Sequence, residues 1–327
     1  MVSSNHMIHK VDISHKTIFF ITGFLIALWI TFLIKDILLM LFVAVILVSA
    51  LSPVVNFLSR FKVPKPLSIA ITYIIIIGVF TGVIALIMPT LIEQTSKLIV
   101  NLPEFLAKAF DIANVDRSVV QSELSNLSRN AFSLTLAIFD NILTIIFLLV
   151  ITFYLLLEKD NIESRVSLLF VGREERVKRL ISEIQEKLGA WLRGQFILSL
   201  IIGSITYLGL ILFNIPYALP LAILAGILEV VPTIGPIISS VPAIILAYTI
   251  SPVWALGVGA MYFVIQQLEN HLIVPQVMKR AVGLNPLVVI LAIAIGGRLL
   301  GFVGALLAVP IAVVLQVIIT EVIASRK

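Results

Sequence analysis

The residue whose type and position most clearly suggest chemistry is Glu229, a carboxylic acid at the end of an apolar stretch. It is one of three acidic residues after Gly194, and the segment that follows it, 230–236, contains two prolines and a glycine. A charged side chain in a bilayer costs about 2.5 kcal/mol or more unless it faces a cavity or a partner. Glu229 is therefore predicted to bind a substrate or to exchange a proton or cation. The alternative is a shallower, structural carboxylate that accepts hydrogen bonds from backbone amides freed by the break.

A second polar group lies at the end of a later apolar run, 252–268. Its members are Gln266, Gln267, Glu269, Asn270 and His271. The group predicts a polar lining for a hydrophilic solute or an ion. It is equally typical of a solvated helix end at the cytoplasmic surface, because helix ends near the interface are commonly polar. From the sequence both interpretations stay open.

A basic residue, Arg298, lies in a glycine-rich stretch of the last apolar region. It could pair with Glu229 if two chain breaks meet near the middle of the membrane. The favoured alternative is a position at the outer interface, where its long side chain reaches water. The predicted pathway residues are then Glu229, Pro232, Gly235, Pro236, Gln267, Glu269, Asn270 and Arg298.

Several kinds of site lack the residues that they need. The chain has no cysteine, and three of its four histidines fall within the first fifteen residues. Thiolate and histidine metal sites are therefore not expected. Neither a phosphate-binding P-loop nor the motifs of zinc proteases and serine hydrolases occur. We expect no cofactor, no bound metal and no enzymatic reaction, and transport, if that is the function, to be secondary or passive.

The elements that must position these residues are membrane helices. Of 327 residues, 60% are apolar and 13% are charged, with a mean hydropathy of +1.14. Soluble domains are about 45–50% apolar and about 25% charged. Backbone groups in lipid must find partners within their own segment, so spanning runs form helices. The predicted fold is an all-α polytopic membrane protein, with apolar runs at 17–34, 37–58, 67–88, 133–157, 195–213, 218–249, 252–268, 285–296 and 302–323.

Loop charge predicts which side of the membrane each segment occupies. The short connection Ser59–Pro66 has three basic residues and no acidic one, which is typical of a cytoplasmic loop. Both termini are then predicted to be cytoplasmic. The resulting organisation is membrane helices over 1–88, an extracytoplasmic polar helical segment over 89–132, a membrane helix over 133–157, a cytoplasmic amphipathic helical segment over 158–194, and a C-terminal membrane domain over 195–327.

Two apolar regions are predicted to turn back within the membrane. The region 218–249 is interrupted at Val231–Pro236, and the region 285–323 at Gly296, Gly297 and Gly301. The first arm of the region 218–249, residues 218–230, would be about 20 Å long, which is shorter than a hydrocarbon core of about 30 Å. With the basic residues kept inside, both regions must re-emerge on the side that they entered, and from opposite faces. The result is about six full spans plus two opposed broken hairpins, or about eight membrane segments. Such a pattern points to a transport site.

Three stretches of the C-terminal third have a distinctive order and spacing. They are Ile227–Pro236, Glu269–Met278, and Val282–Leu287 with the following glycines and Ala308–Pro310. In this order they resemble three motifs, the first of them E-x-I-P-x-I-G-P, of the autoinducer-2 exporter family of bacterial and archaeal permeases. Arg298 departs from the pattern, since that position is usually uncharged.

The resemblance implies a multi-pass, homo-oligomeric permease of a prokaryotic cytoplasmic membrane. Its name implies export of the quorum-sensing signal autoinducer-2, a small polar molecule, while other members are described as sodium or lithium/proton antiporters. We therefore expect a secondary transporter of a small polar solute, with a Na⁺(Li⁺)/H⁺ antiporter as the alternative. A membrane scaffold ranks lower, because a scaffold would not need broken helices in lipid. Besides solute or ion, the expected partner is the bilayer; nucleic acid is not expected.

Overall fold

The structure is a computed structural model, and it describes residues 15–113, 142–232, 234–278 and 283–324. Throughout these ranges the regular elements are helices. They are α1 (His15–Leu33), α2 (Lys35–Ser59), α3 (Lys65–Ala113), α4 (Ile142–Leu168), α5 (Glu174–Leu212), α6 (Ala218–Leu228), α7 (Ile234–Ile250), α8 (Pro252–Leu268), a π-helical turn (Glu269–Ile273), α9 (Val274–Val277) and α10 (Pro286–Ala324).

Five of the described helices are long and apolar enough to cross a membrane. They are α1, α2, the Lys65–Leu98 part of α3, α5 and α10. Large apolar side chains cover their outer surfaces, including Phe19 and Leu86, which are about four-fifths exposed. Lipid is the solvent in which such a surface is stable. The predicted all-α polytopic membrane fold is therefore confirmed. The apolar parts of α4 and α8 stay predicted spans.

Three helices, α3, α4 and α5, extend across boundaries that composition suggested, and in α4 that boundary is 157/158. Helix α3 has 49 residues and α5 has 39, which correspond to about 74 Å and about 58 Å. Both exceed a hydrocarbon core of about 30 Å. The predicted boundaries at 88/89 and 194/195 therefore fall inside continuous helices. The predicted outer segment 89–132 is described only as far as Ala113, and the predicted run 133–157 only from Ile142; the remainder lies outside the described residues, as do Lys279, Arg280 and both termini.

Helix α5 packs against α2, α4, α6, α8, α9 and α10. At Gly189 it approaches α2 so closely that a Cβ would overlap the backbone carbonyl of Ser49. Further along, Gly203 lies against Gly226 of α6, where an added Cβ would stand 2.9 Å from the carbonyl oxygen of Ser199. Close approach of this kind is typical of membrane helices, in which small residues let backbones meet. The position of α6 on α5 is thus set by a pair of glycines.

Helices α6 and α7 form the first hairpin. The chain leaves α6 after Leu228 and enters α7 at Ile234, so the break overlaps only the first part of the predicted interruption Val231–Pro236, and Gly235 and Pro236 lie in the first turn of α7. A Cβ on Gly235 would overlap the carbonyl oxygen of Leu228. The backbone at the tip is therefore packed on itself, and only glycine fits there.

Helix α10 forms the second hairpin around one residue. Gly301 has φ 62° and ψ −142°, a backbone conformation that favours glycine. The two arms of α10 pack closely. A Cβ on Gly296 would overlap the carbonyl of Gly304, and a Cβ on Gly304 would overlap the carbonyl of Gly296. The sequence assigned the break to three glycines, and for Gly296 and Gly297 this was wrong. Both are helical, and Gly296 allows the arms to meet.

The two hairpins point in opposite directions along α5. The base of the first hairpin packs near Leu210, at the end of α5, and its tip lies beside Gln195. The second hairpin has its base at the other end, where Glu321 forms an ion pair with Arg176 near the start of α5. The opposed arrangement brings the first tip against the arms of α10, with Val231 packed in one cluster with Ile293 and Leu307.

Candidate functional site

The tip of the first hairpin is held by a side chain from α5. Gln195 is buried, and its Nε2 donates a hydrogen bond of 2.8 Å to the backbone carbonyl of Glu229. A carbonyl at the end of a broken helix has no partner in its own helix. The amide of Gln195 supplies that partner and fixes the position from which the Glu229 side chain projects. Because Gln195 begins the predicted run 195–213, Glu229 lies level with one end of that run.

A π-helical turn places the second carboxylate. Residues Glu269–Ile273 form this turn between α8 and α9, with the amide of Val274 bonded to the carbonyl of Glu269. Pro275 follows, and a proline ring clashes with the carbonyl four residues earlier in an α-helix. A wider turn relieves the clash, and such turns occur often at functional sites. Here it turns Glu269 inward, while Asn270 and His271 stay exposed.

Glu229 and Glu269 form a buried carboxyl pair. Each is 1% exposed, and the two side chains interact directly. Gln266 Nε2 donates to Glu269 Oε2 at 3.3 Å. Among the described residues no donor reaches either oxygen of Glu229, and no basic side chain forms an ion pair with Glu229 or Glu269. The side chain that interacts with the Glu229 carboxyl is thus another carboxyl, which can donate only when it carries a proton.

The chemistry open to this pair follows from electrostatics. Two carboxylates about 4 Å apart repel by about 4 kcal/mol at an effective dielectric constant of about 20. Without a nearby base, the pair can avoid this repulsion by sharing a proton or by binding a cation. Neither oxygen of Glu229 accepts a hydrogen bond from a backbone amide among the described residues, so the structural-acceptor alternative lacks its donor.

Other predicted pathway residues divide into two groups. Gly235 and Pro236 are buried at the hairpin tip, and Pro232 is half-buried next to them. Gln267 and Asn270 are exposed and lie away from the carboxyl pair's buried face. For these two residues a solvated helix end stays a prediction, whereas Glu269 is part of the interior.

Arg298 is not a partner of Glu229. Its side chain is exposed, one turn before the tip of the second hairpin, and it forms no ion pair with the described residues. The tip of the first hairpin instead meets the middle of the α10 arms. The two tips therefore pass each other, and the residue that Glu229 meets is Glu269.

The sequence analysis did not identify the polar face of α5. Gln195 Oε1, Ser199 Oγ and Thr206 Oγ1 are buried and have no hydrogen-bond partner among the described residues. At 100° per residue the three side chains fall within about 40° of one another. A cavity of about 270 Å³ adjoins Gln195 and Ser199, with Val230 and the second hairpin on its other walls. The detectable signal was polar residues recurring on one face of a run without charges.

Comparison with known proteins identifies the family. A family model described as AI-2E family transporter matches residues 18–324, nearly the whole chain. The chain belongs to the AI-2E transporter family. The resemblance found in its three C-terminal motifs is thereby confirmed. Glu229 and Glu269, which form the buried pair of this AI-2E protein, each belong to one of those motifs.

Curated AI-2E relatives have related names. The chain is 28% identical over 321 residues to YrrI of Bacillus subtilis strain 168, covering 91% of both proteins. It is 27% identical over 312 residues to YueF of the same organism, covering 87% of this chain and 84% of YueF. PerM of Escherichia coli strain K12 is 26% identical over 245 residues, or 71% and 68% of the two chains. The first two are named as candidate transport proteins and the third as a candidate permease.

Proposed function

We propose that this AI-2E protein is a secondary transporter of a small polar solute, in which the carboxyl pair Glu229–Glu269 couples transport to proton movement. The observation that carries the proposal is the burial of two interacting carboxyl groups, neither of which forms an ion pair with a basic side chain among the described residues. Acidic residues in such surroundings commonly serve proton relays in transporters. As the specific substrate we propose autoinducer-2, the molecule for whose export the family is named.

We further propose that a polar solute passes along the face of α5 beside the pair. In support, Gln195, Ser199 and Thr206 carry unpartnered polar atoms on that face, and a cavity of about 270 Å³ with otherwise apolar walls adjoins the first two. Helices interrupted in the membrane provide binding sites in many transporters, because freed backbone groups face the cavity. A change in the protonation of the pair would alter the charge at the tip of the first hairpin. Solute binding and proton binding would then both affect the conformation of the first hairpin.

Transport by reconstituted protein tests the proposal. Vesicles containing the wild type, Glu229→Gln or Glu269→Gln would be assayed with a solute panel that includes autoinducer-2, with and without an imposed proton gradient. We expect gradient-stimulated transport in the wild type and its loss in both variants. Glu175→Gln is the control, because that carboxylate is 86% exposed and, among the described residues, pairs only with Lys178 at 3.7 Å. Full stimulation in both pair variants would remove the carboxyl pair from the mechanism.

A Na⁺(Li⁺)/H⁺ antiporter is the second candidate, and the same pair supports it. Carboxylate oxygens are suitable ligands for small hard cations, and the two carboxyl groups of the pair would supply them. Alternation of the pair between proton and cation would need no organic solute. Sodium-driven proton movement in vesicles without solute, measured from pH 6 to 9, distinguishes this function; its absence across the range would contradict the antiporter.

We also propose a homo-oligomer in a prokaryotic cytoplasmic membrane, with both termini inside. The basic loop Ser59–Pro66 supports the orientation, because short basic loops stay cytoplasmic. Labelling of single cysteines introduced at Lys62 and at Tyr217 in intact cells tests it. We expect a membrane-impermeant reagent to reach only the second position. The subunit number can be measured on the purified protein by light scattering.

A further inference from the structure

A second cavity lies apart from the carboxyl pair, between α2, α4 and α5. Its volume is about 400 Å³. It adjoins the end of α2 that leads into the basic loop Ser59–Pro66, and is therefore at the predicted cytoplasmic interface. Polar side chains form much of its wall, and Pro53 and Phe57 provide an apolar part. The lining residues that matter below are Arg60, Lys159, Arg193, Ser52, Ser182 and Glu186.

The cavity carries an excess of positive charge. Three of its lining residues are basic and one, Glu186, is acidic. Among the described residues none of the three bases forms an ion pair with a carboxylate. The acid next to Lys159 in the sequence, Asp160, is instead bonded to Lys65 at 2.7 Å. The wall thus has a net charge of +2 that the protein itself does not neutralise by direct contact.

Two of the three bases are held in place by the protein. Arg193 Nη1 donates to the backbone carbonyls of Ala50 at 3.1 Å and of Ser49 at 3.4 Å. The Ser49 carbonyl is available because Pro53, four residues later, has no N–H to donate to it. Lys159 Nζ donates to Ser52 Oγ at 3.2 Å. These positions are set before a ligand arrives, which lowers the entropy cost of binding.

Lys159 is the residue that most needs a counter-ion. It is half-buried, and its single hydrogen bond among the described residues leaves two ammonium donors free. Burial lowers the pKa of this ammonium group, while Asp160 and Glu163 act on it from beyond ion-pair distance. Removing a cation from water without a partner is costly. An anion in the cavity would restore the lost solvation.

We propose that this cavity binds a phosphate-bearing anion, and that the phosphodiester headgroup of an anionic phospholipid is its occupant. Basic cavities between helices on the cytoplasmic side are suited to lipid headgroups. The opening at the interface and the apolar wall of Pro53 and Phe57 fit a group that continues into acyl chains. Ser182 and Glu186 could bond headgroup hydroxyls such as those of phosphatidylglycerol. Inorganic phosphate has the same charged group but would leave the apolar wall uncovered.

Lipid and phosphate titrations of the full-length detergent-solubilised protein test the site. Binding would be followed by native mass spectrometry and by thermal unfolding, with phosphatidylglycerol, phosphatidylcholine and inorganic phosphate as separate probes. The pocket variant is Arg60→Gln with Lys159→Gln. The control is Lys62→Gln with Arg179→Gln, which removes the same charge from exposed positions outside the cavity.

We expect phosphatidylglycerol to bind the wild type and raise its unfolding temperature, and phosphatidylcholine to do neither. A base near an anionic headgroup contributes roughly fivefold in affinity, so the pocket variant should bind about 25-fold more weakly and the control within about twofold. If phosphate binds and phosphatidylglycerol does not, the anion site is supported, but its occupant is phosphate and not a lipid. Equal losses in the two double variants, or no binding by either probe, would overturn the proposal. If the double variant does not fold, Arg60→Gln alone decides, since that side chain is exposed.

Discussion

Replacement of Gly235 by alanine tests whether close packing at the first hairpin tip positions Glu229. The added Cβ would overlap the carbonyl oxygen of Leu228 and stand 2.9 Å from the amide nitrogen of Glu229. Both contacts are with backbone, which cannot rotate away as a side chain can. The tip must therefore open. Strain of this kind costs about 1–3 kcal/mol, occasionally more.

The same change elsewhere provides a matched control. Gly78 and Gly82 lie in α3, and a Cβ at either position would meet nothing within 4 Å. Alanine in an exposed helix interior is favoured over glycine by roughly 0.5–1 kcal/mol. Gly78→Ala should therefore leave stability unchanged or raise it, whereas Gly235→Ala should lower it. The expected difference between the two variants is about 2–4 kcal/mol.

Unfolding of the purified variants and transport by reconstituted protein measure the two consequences. We expect Gly235→Ala to unfold at a lower temperature than the wild type and Gly78→Ala at the same temperature or higher. Gradient-stimulated transport should fall in Gly235→Ala, because opening the tip moves Glu229 away from Glu269 and Gln195. If Gly235→Ala were as stable and as active as Gly78→Ala, the tip would not be packed as described, and the site built on it would be wrong.

Three further predictions concern the residues around the site. Gln195→Leu removes the donor to the Glu229 carbonyl and should destabilise the protein by about 1–3 kcal/mol, the cost of an unsatisfied buried group, as measured by thermal unfolding. Gly304→Ala should weaken the second hairpin because its Cβ would overlap the carbonyl of Gly296, whereas Gly297→Ala meets only the Cβ of Ala305 at 3.8 Å and should be tolerated; comparison of their unfolding temperatures decides this. Arg298→Gln should leave gradient-stimulated transport unchanged, since the exposed guanidinium is not part of the carboxyl site, and a loss comparable to that of Glu229→Gln would return Arg298 to the pathway.

Features that depend on local composition could be predicted from the sequence. Apolar runs of sufficient length predict membrane helices because lipid offers no other partners for the backbone. Two prolines and a glycine between 230 and 236 favour a helix break, so the break before Ile234 was located correctly to within a few residues. The three ordered C-terminal motifs, two of which contain Glu229 and Glu269, indicated the family that the family model confirms. Each of these inferences needs only neighbouring residues.

Composition was less informative about where helices end. Helix α5 combines a charged amphipathic part and an apolar part without a boundary, because hydrogen bonds along a helix do not depend on which solvent surrounds it. Likewise the break in α10 is confined to Gly301, although three glycines in six residues suggested a longer interruption. Glycine permits a break but does not require one.

Only the tertiary structure decided which ionisable groups meet. Glu229 and Glu269 are forty residues apart in the sequence, and their contact depends on a glycine-packed hairpin, a hydrogen bond from Gln195 and a π-helical turn. The sequence instead allowed a pair between Glu229 and Arg298. Charge alone cannot choose between these partners, because side-chain proximity is set by how helices pack. The type of protein was therefore determined by composition, and the chemistry of its interior by the packing of two hairpins against α5.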